Sequence, residues 1–221
     1  MTRSIPRVAV LDYGAANLVS IGQGLVAAGA EVSVAADPSG LQDVDALVVP
    51  GVGAAAPAMA HLREQRLLEP LRHWVADGRP LLGICLGFQL LFDASDEGDA
   101  TTVGLLPGRV IALRDAPTLP HTGWNAVRAV RSHPLFGGIP DGSYFYFVHS
   151  YAPLPGDERD ILAMTDHGRP FVSAIARGSV YGLQFHPEKS AAVGIRLLSN
   201  FLGLVRDGLP PGGALNAGGA A

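Results

Sequence analysis

The chain has a single thiol. Cys85 is the one cysteine among 221 residues, so an intramolecular disulfide is impossible and a disulfide-stapled scaffold is excluded; a reducing cytoplasm is the expected setting. Charge is also scarce: charged residues make up 16% and the net charge is −4. With no Lys/Arg cluster, nucleic acid is not expected as a partner. Apolar runs are short and broken by Gly or Pro, well below a membrane span. The first six residues are polar and lead straight into a strand, so no signal peptide is expected. No Cys, His and carboxylate spacing fits a metal site, and no cofactor is expected. His61, His73, His133 and His167 show no partner pattern and read as surface residues.

Apolar residues are plentiful, at 48%, and there are 28 glycines and 17 prolines. This profile and length suit one compact α/β domain, expected over residues 1–206. Residues 207–221, rich in Gly, Pro and Ala, read as a flexible tail. Short β-branched or Leu-rich runs alternate with helical stretches. Residues 7–12, 31–35, 46–49 and 80–84 read as buried strands; 17–28, 57–64, 70–76 and 86–92 read as helices. Such alternation predicts a parallel sheet covered on both faces. In the second half, 109–113, 125–130, 144–148, 171–176 and 180–185 read as strands joined by turns, and 192–204 as a closing helix. The expected fold is α/β, with a central mixed, mostly parallel sheet flanked by helices and extended by antiparallel additions.

Gly83-Ile84-Cys85-Leu86-Gly87 falls where a strand ends and a helix begins. A nucleophile there sits on a sharp turn, and the flanking glycines let strand and helix approach closely. It is the device of the G-x-S-x-G elbow with sulfur replacing oxygen. The dipole of a following helix would favour thiolate, and the Leu86 N–H would supply an oxyanion donor. Most lone cysteines are small buried hydrophobes, so the pentapeptide by itself leaves both readings open. A thiol needs a base, and Gln184-Phe185-His186-Pro187-Glu188-Lys189-Ser190 offers one. In an extended segment residues two apart face the same side. Glu188 would then hold the His186 imidazole while the other ring nitrogen takes the thiol proton.

With Gly-Ile-Cys85-Leu-Gly-Phe-Gln89 followed far downstream by His186-Pro-Glu188, the chain resembles the triad-type (class I) glutamine amidotransferases to about Leu204. The resemblance implies that Cys85, His186 and Glu188 form the catalytic triad. Pro50-Gly51-Val52-Gly53 matches the loop that gives a second oxyanion donor, the Val52 N–H, beside that of Leu86; it is also ordinary turn chemistry. Such a loop could complete the hole only when a partner has bound.

Within the family, residues 12–18, Pro120-His121-Thr122-Gly123-Trp124-Asn125 and the aromatic run Tyr144 to Tyr151 resemble the glutaminase subunits of imidazole glycerol phosphate synthases. Ala16 and Thr122 depart from the glycine and methionine usual there. The resemblance implies that Gly53, Gln89, His149, Ser150 and Tyr151 bind glutamine, the last three largely through backbone groups. It places Tyr146 and Lys189 at the partner interface and ammonia gate, where a core tyrosine and a solvated lysine are the plainer readings. The implied reaction is hydrolysis of glutamine to glutamate and ammonia. The implied partner is a (βα)8-barrel cyclase, joined in a heterodimer of histidine biosynthesis. A paralogous subunit of another amination pathway and a stand-alone γ-glutamyl hydrolase would share the same catalytic residues.

Overall fold

The computed structural model describes residues 5–14 and 17–208. Expectations for Ala16 and for the tail beyond residue 208 lie outside the described residues. The first half alternates as its apolar pattern predicts: β1 (Arg7–Leu11), α1 (Leu18–Ala28), β2 (Glu31–Ala35), β3 (Ala46–Val49), α2 (Ala55–Glu64), α3 (Leu68–Ala76), β4 (Leu81–Ile84) and α4 (Leu86–Gln89). The second half carries β5 (Ala94–Ser95), β6 (Ala100–Thr101), β7 (Gly108–Ala112), β8 (His121–Ala129), β9 (Ser143–His149) and β10 (Tyr151–Pro155). After these come β11 (Ile161–Asp166), β12 (Pro170–Arg177), β13 (Val180–Leu183) and the closing helix α5 (Ala191–Asp207).

The main sheet has the order β2-β1-β3-β4-β13-β12-β11-β8-β9. Neighbours are parallel from β2 to β13 and antiparallel from β13 to β9. The antiparallel extension is therefore as large as the parallel part, a greater share than the sequence implies. A second sheet, β10-β7-β5-β6, was not expected. Two strands have weak sequence signals for physical reasons. β10 carries Pro153 and Pro155, which a sheet accepts at its edge, where β10 lies. β11 shifts register between Ile161 and Met164, and a bulge breaks the alternation that marks a strand.

Parallel strands covered on both faces are apolar throughout. In β1, Val8 and Val10 enter one core layer with Ile21 and Leu25 of α1 and Leu197, Leu198 and Phe201 of α5. Ala9 and Leu11 enter the other with Met59 and Leu62 of α2 and Leu71 and Trp74 of α3. Helix α1 is bounded as its sequence predicts: Asn17 accepts from the Ser20 N–H at its start, and Gly29 takes the left-handed conformation at its end. Among the described residues no helix is long and apolar enough to cross a membrane.

This sheet order positions the chemistry. β4 and β13 are parallel neighbours with Gly83 opposite Gly182 and Ile84 opposite Leu183. Their C-terminal ends therefore deliver Cys85 and residues 184–188 to one place, the usual location of sites in such sheets. Helix α5 then packs on the turn after β13 through Gly194, where a Cβ would overlap the Pro187 carbonyl oxygen. Gly194→Ala should lower the unfolding free energy by about 2–3 kcal/mol, the cost of overpacking. Urea unfolding of the variant against the parent chain checks it.

Candidate active site

Cys85 is buried and has φ +53° and ψ −113°, a region that side-chain-bearing residues rarely occupy. The expected elbow is present and strained. Its amide donates to the Leu183 carbonyl at 2.7 Å. Gly87 passes so close to the end of β3 that a Cβ would overlap the Val49 oxygen. The following helix differs from expectation. It ends at Gln89, not residue 92, because Leu90, Leu91 and Phe92 give their carbonyls to the returning segment 103–106. One turn sums few peptide dipoles, so the dipole argument for the thiolate fails. The sulfur is met by polar groups instead: the Gln184 amide donates to Sγ at 3.7 Å, and Sγ lies 3.7 Å from the Val148 carbonyl oxygen.

His186 Nδ1 lies 2.8 Å from Glu188 Oε1, and both side chains are at least 95% buried. The pair meets as the residue types predict but by different geometry. Pro187–Lys189 forms a 3₁₀ turn, not an extended segment, and the turn folds Glu188 back under the imidazole. His186 is fixed from both sides of its peptide, donating N–H to the Tyr146 carbonyl at 2.8 Å and accepting Ser190 Oγ at 2.6 Å. Burial alone would push the imidazole down, but the neighbouring Cys85 sulfur and Glu188 carboxylate outweigh it and hold the pKa above its ordinary value. Nε2 is buried and makes no hydrogen bond within the geometric limits. Nε2 is the nitrogen left to take a proton from the thiol.

A cavity of about 280 Å³ opens at Cys85. Every residue expected to bind glutamine lines it: Gly53, Gln89, His149, Ser150 and Tyr151, with Val52 and Leu86 beside them. Gln89 spends both N–H groups on protein, one on the Tyr151 carbonyl at 2.8 Å and one on Gln184 Oε1 at 3.0 Å. His149 likewise turns both ring nitrogens into the protein, towards Tyr151 O at 2.8 Å and His121 Nδ1 at 3.0 Å. Its part in lining the cavity is therefore played by ring carbons and backbone. Glu97, which no motif marks, also lines the cavity, and its Oε2 accepts the Ala55 N–H at 2.9 Å. That contact spans 42 residues, so no local pattern could have disclosed it.

Tyr146 and Lys189 meet on the outer side of the site. The ammonium of Lys189, the chain's one lysine, lies 5.7 Å from the Tyr146 ring centroid. Trp124, 6.3 Å from Tyr146, is exposed. A second cavity of about 10 Å³, room for one water-sized molecule, is lined by Pro50, Gly51, His186, Glu188 and Lys189. Val52 borders both cavities. Under this loop the buried Tyr13 hydroxyl donates to the Pro50 carbonyl, and burial, then the charge of Cys85, pushes the phenol pKa up.

His61 and His73 are exposed as expected, but His133 and His167 are not simple surface residues. His133 caps the Leu135 N–H at 3.1 Å and packs on Tyr181. His167 stacks on His121 at 4.1 Å and donates to the Thr118 carbonyl. Both are half-buried through contacts with distant segments, His133 with Tyr181 of β13 and His167 with His121 of β8, which have no local signature. Among the described residues no three His, Cys, Asp or Glu side chains are grouped to hold a metal ion.

Burial lowers His121 and His133 to about 4 and His149 to about 3. Below the ordinary imidazole value of about 6.5 the unfolded chain binds protons that the folded chain does not. The stability these residues contribute is thus whole above that value and lost as the pH falls towards 4. The raised His186 acts with opposite sign, its contribution fading as the pH rises above 6.5. The urea midpoint should therefore fall steadily from pH 7 to pH 4, and His133→Asn, which keeps a polar cap, should flatten the slope.

The family model for glutamine amidotransferase class-I matches residues 9–204. The imidazole glycerol phosphate synthase subunit HisH of Synechococcus sp. (strain JA-3-3Ab) is 47% identical over 212 residues, covering 94% of this chain and 98% of the relative. The protein of the same name from Methylococcus capsulatus (strain Bath) is 48% identical over 207 residues, covering 88% and 95%. Among solved structures, PurLQS from Thermotoga maritima superposes with TM-score 0.74 at 18% identity, covering 91% of this chain and 100% of that one. A glutamine amidotransferase from the same organism gives TM-score 0.64 at 17% identity, covering 92% and 84%; at these identities the likeness concerns the fold alone. The chain belongs to the class-I glutamine amidotransferase family, in the group of the imidazole glycerol phosphate synthase HisH subunits.

Proposed function

We propose that the chain is the glutaminase subunit of an imidazole glycerol phosphate synthase and that Cys85, His186 and Glu188 carry the hydrolysis. The observation that carries the reading is the strained Cys85 beside a buried His186–Glu188 pair, opening onto a cavity of about 280 Å³. The Cys85 sulfur attacks the side-chain amide carbon of glutamine, and the Val52 and Leu86 N–H groups receive the oxyanion. His186 Nε2 hands the proton to the departing nitrogen, which leaves as ammonia. Water, deprotonated by the same nitrogen, then hydrolyses the thioester to glutamate and returns the thiol. Glu188 holds the imidazole orientation throughout and offsets its charge.

The cavity walls fit the rest of the substrate. Glu97 supplies the one carboxylate for the α-ammonium of glutamine. With both N–H groups of Gln89 committed, its carbonyl oxygen is the atom left to face the ligand. The relatives are named as one subunit of a synthase, which implies a partner subunit. The partner proposed here is a (βα)8-barrel cyclase, seated on the face that exposes Trp124, Tyr144 and Lys189. Because Val52 separates the substrate cavity from the small cavity at Lys189, one loop both stabilises the oxyanion and borders the exit of ammonia. That gives a docked partner a direct hold on the chemistry.

The test is a glutaminase assay with and without the cyclase and its nucleotide ligand. Activity should rise sharply in the complex, and Cys85→Ala should lower it about a thousandfold or more. Retention of activity in Cys85→Ala would remove the nucleophile assignment. Full turnover by the isolated chain would instead point to a stand-alone γ-glutamyl hydrolase. Glu97→Gln should raise KM for glutamine about tenfold or more while leaving kcat within about threefold, the pattern of lost ground-state binding.

A further inference from the structure

We propose that Asn125, His121 and His149 form a one-way hydrogen-bond relay that positions the glutamine-binding wall, with the two imidazoles acting as positioning residues. The proposal rests on reading the cavity at Cys85 as the glutamine site.

The direction of the relay follows from its inner end. The Tyr151 carbonyl can only accept, so His149 Nδ1, 2.8 Å away, carries the hydrogen. A neutral imidazole has one N–H and one acceptor nitrogen. His149 Nε2 must then accept, and the donor is His121 Nδ1 at 3.0 Å. His121 Nε2 accepts in turn, from Asn125 Nδ2 at 3.1 Å. The second N–H of Asn125 goes to the Asp166 carbonyl at 2.8 Å, and its Oδ1 takes the Ala126 N–H at 2.8 Å. Every donor and acceptor is assigned from the carbonyl outward, and no other pair of neutral tautomers satisfies the set.

The rings are clamped in this arrangement. His121 lies between the Phe147 ring at 4.8 Å and the His167 ring at 4.1 Å, with Phe171 at its edge. A proton added to His149 would set one N–H against another across the 3.0 Å contact, and burial opposes that proton.

The relay ends where a second polar chain begins. The Tyr151 carbonyl also accepts from Gln89, which holds Gln184, which donates to Cys85 Sγ. Two lines of hydrogen bonds, one from Asn125 on β8 and one from the thiol, thus converge on one carbonyl. That carbonyl sits where the chain leaves the main sheet at β9 and enters the second sheet at β10, and residues 149–151 form a wall of the cavity. His121 and Asn125 do not line the cavity, so their effect on glutamine is exerted through that wall.

Because Cys85 is the sole thiol, iodoacetamide labelling of the full chain reports on this site alone, and protection by glutamine reports its affinity. His121→Phe keeps the stacked ring and removes both nitrogens. It should raise the half-protecting glutamine concentration about tenfold, while the unprotected labelling rate stays within about twofold. His121→Asn, which retains a donor near Nδ1, should stay within about threefold of the parent. If His121→Phe does not fold, Asn125→Leu at the half-buried outer end takes its place with the same expected loss. Unchanged protection in these variants, or an Asn variant as impaired as Phe, would overturn the relay. Absence of protection in the parent chain would instead remove the glutamine reading of the cavity, and the relay's role with it.

Discussion

The parallel pairing of β4 with β13 is the constraint on which the site depends. With Gly83 opposite Gly182 and Ile84 opposite Leu183, Cys85 donates its amide to Leu183 and lies within reach of Gln184 and His186. No side chain fits at Gly182, where a Cβ would run into the Phe88 ring. A one-residue slip would turn each side chain of β13 to the opposite face of the sheet. Cys85 and His186, about a hundred residues apart in sequence, meet because two short apolar strands meet in one register. The loop after β3, the neighbour of β4 on its other side, adds Val52 to the same rim.

Several features of the site run against stability. Cys85 holds a strained backbone, the His186–Glu188 pair is desolvated, and two imidazoles are buried neutral. Two core layers, one on each face of the sheet, offset these costs. Two contacts that pin the site are backbone against backbone, Gly87 on Val49 and Gly194 on Pro187. Such contacts leave little room for adjustment. The Pro50–Gly53 loop is different. Val52 is 40% exposed and Gly53 has φ +98°, so the wall between the two cavities is the element that a partner can most readily move.

Local chemistry made much of this legible in the sequence. Apolar runs marked β1, β3 and β4, helical periodicity marked α1 to within a residue, and the Gly-x-Cys-x-Gly spacing marked the elbow. The pairing of His186 with Glu188 was legible too, although the sequence pattern implied an extended segment where a 3₁₀ turn occurs. What escaped depends on distant register. Glu97 reaches the cavity because it caps α2, Ser190 because it bridges the Tyr146 amide and the His186 carbonyl, and Gln184 because its neighbour β4 ends at Cys85. The β8–β9 pairing sets His121 opposite His149. The contacts of Glu97, Gln184 and His121 have no short-range signature, and α4 is short because a later segment captures the carbonyls that follow it.

The central claim is that Cys85 becomes covalently bonded to the γ-carbonyl of glutamine. It is tested most directly by acid-quenching the assembled synthase during turnover and mapping the chain by mass spectrometry. The account predicts a glutamyl group on the peptide containing Cys85, present during turnover and gone once glutamine is exhausted. Steady release of ammonia with no adduct on Cys85 at any quench time would contradict it.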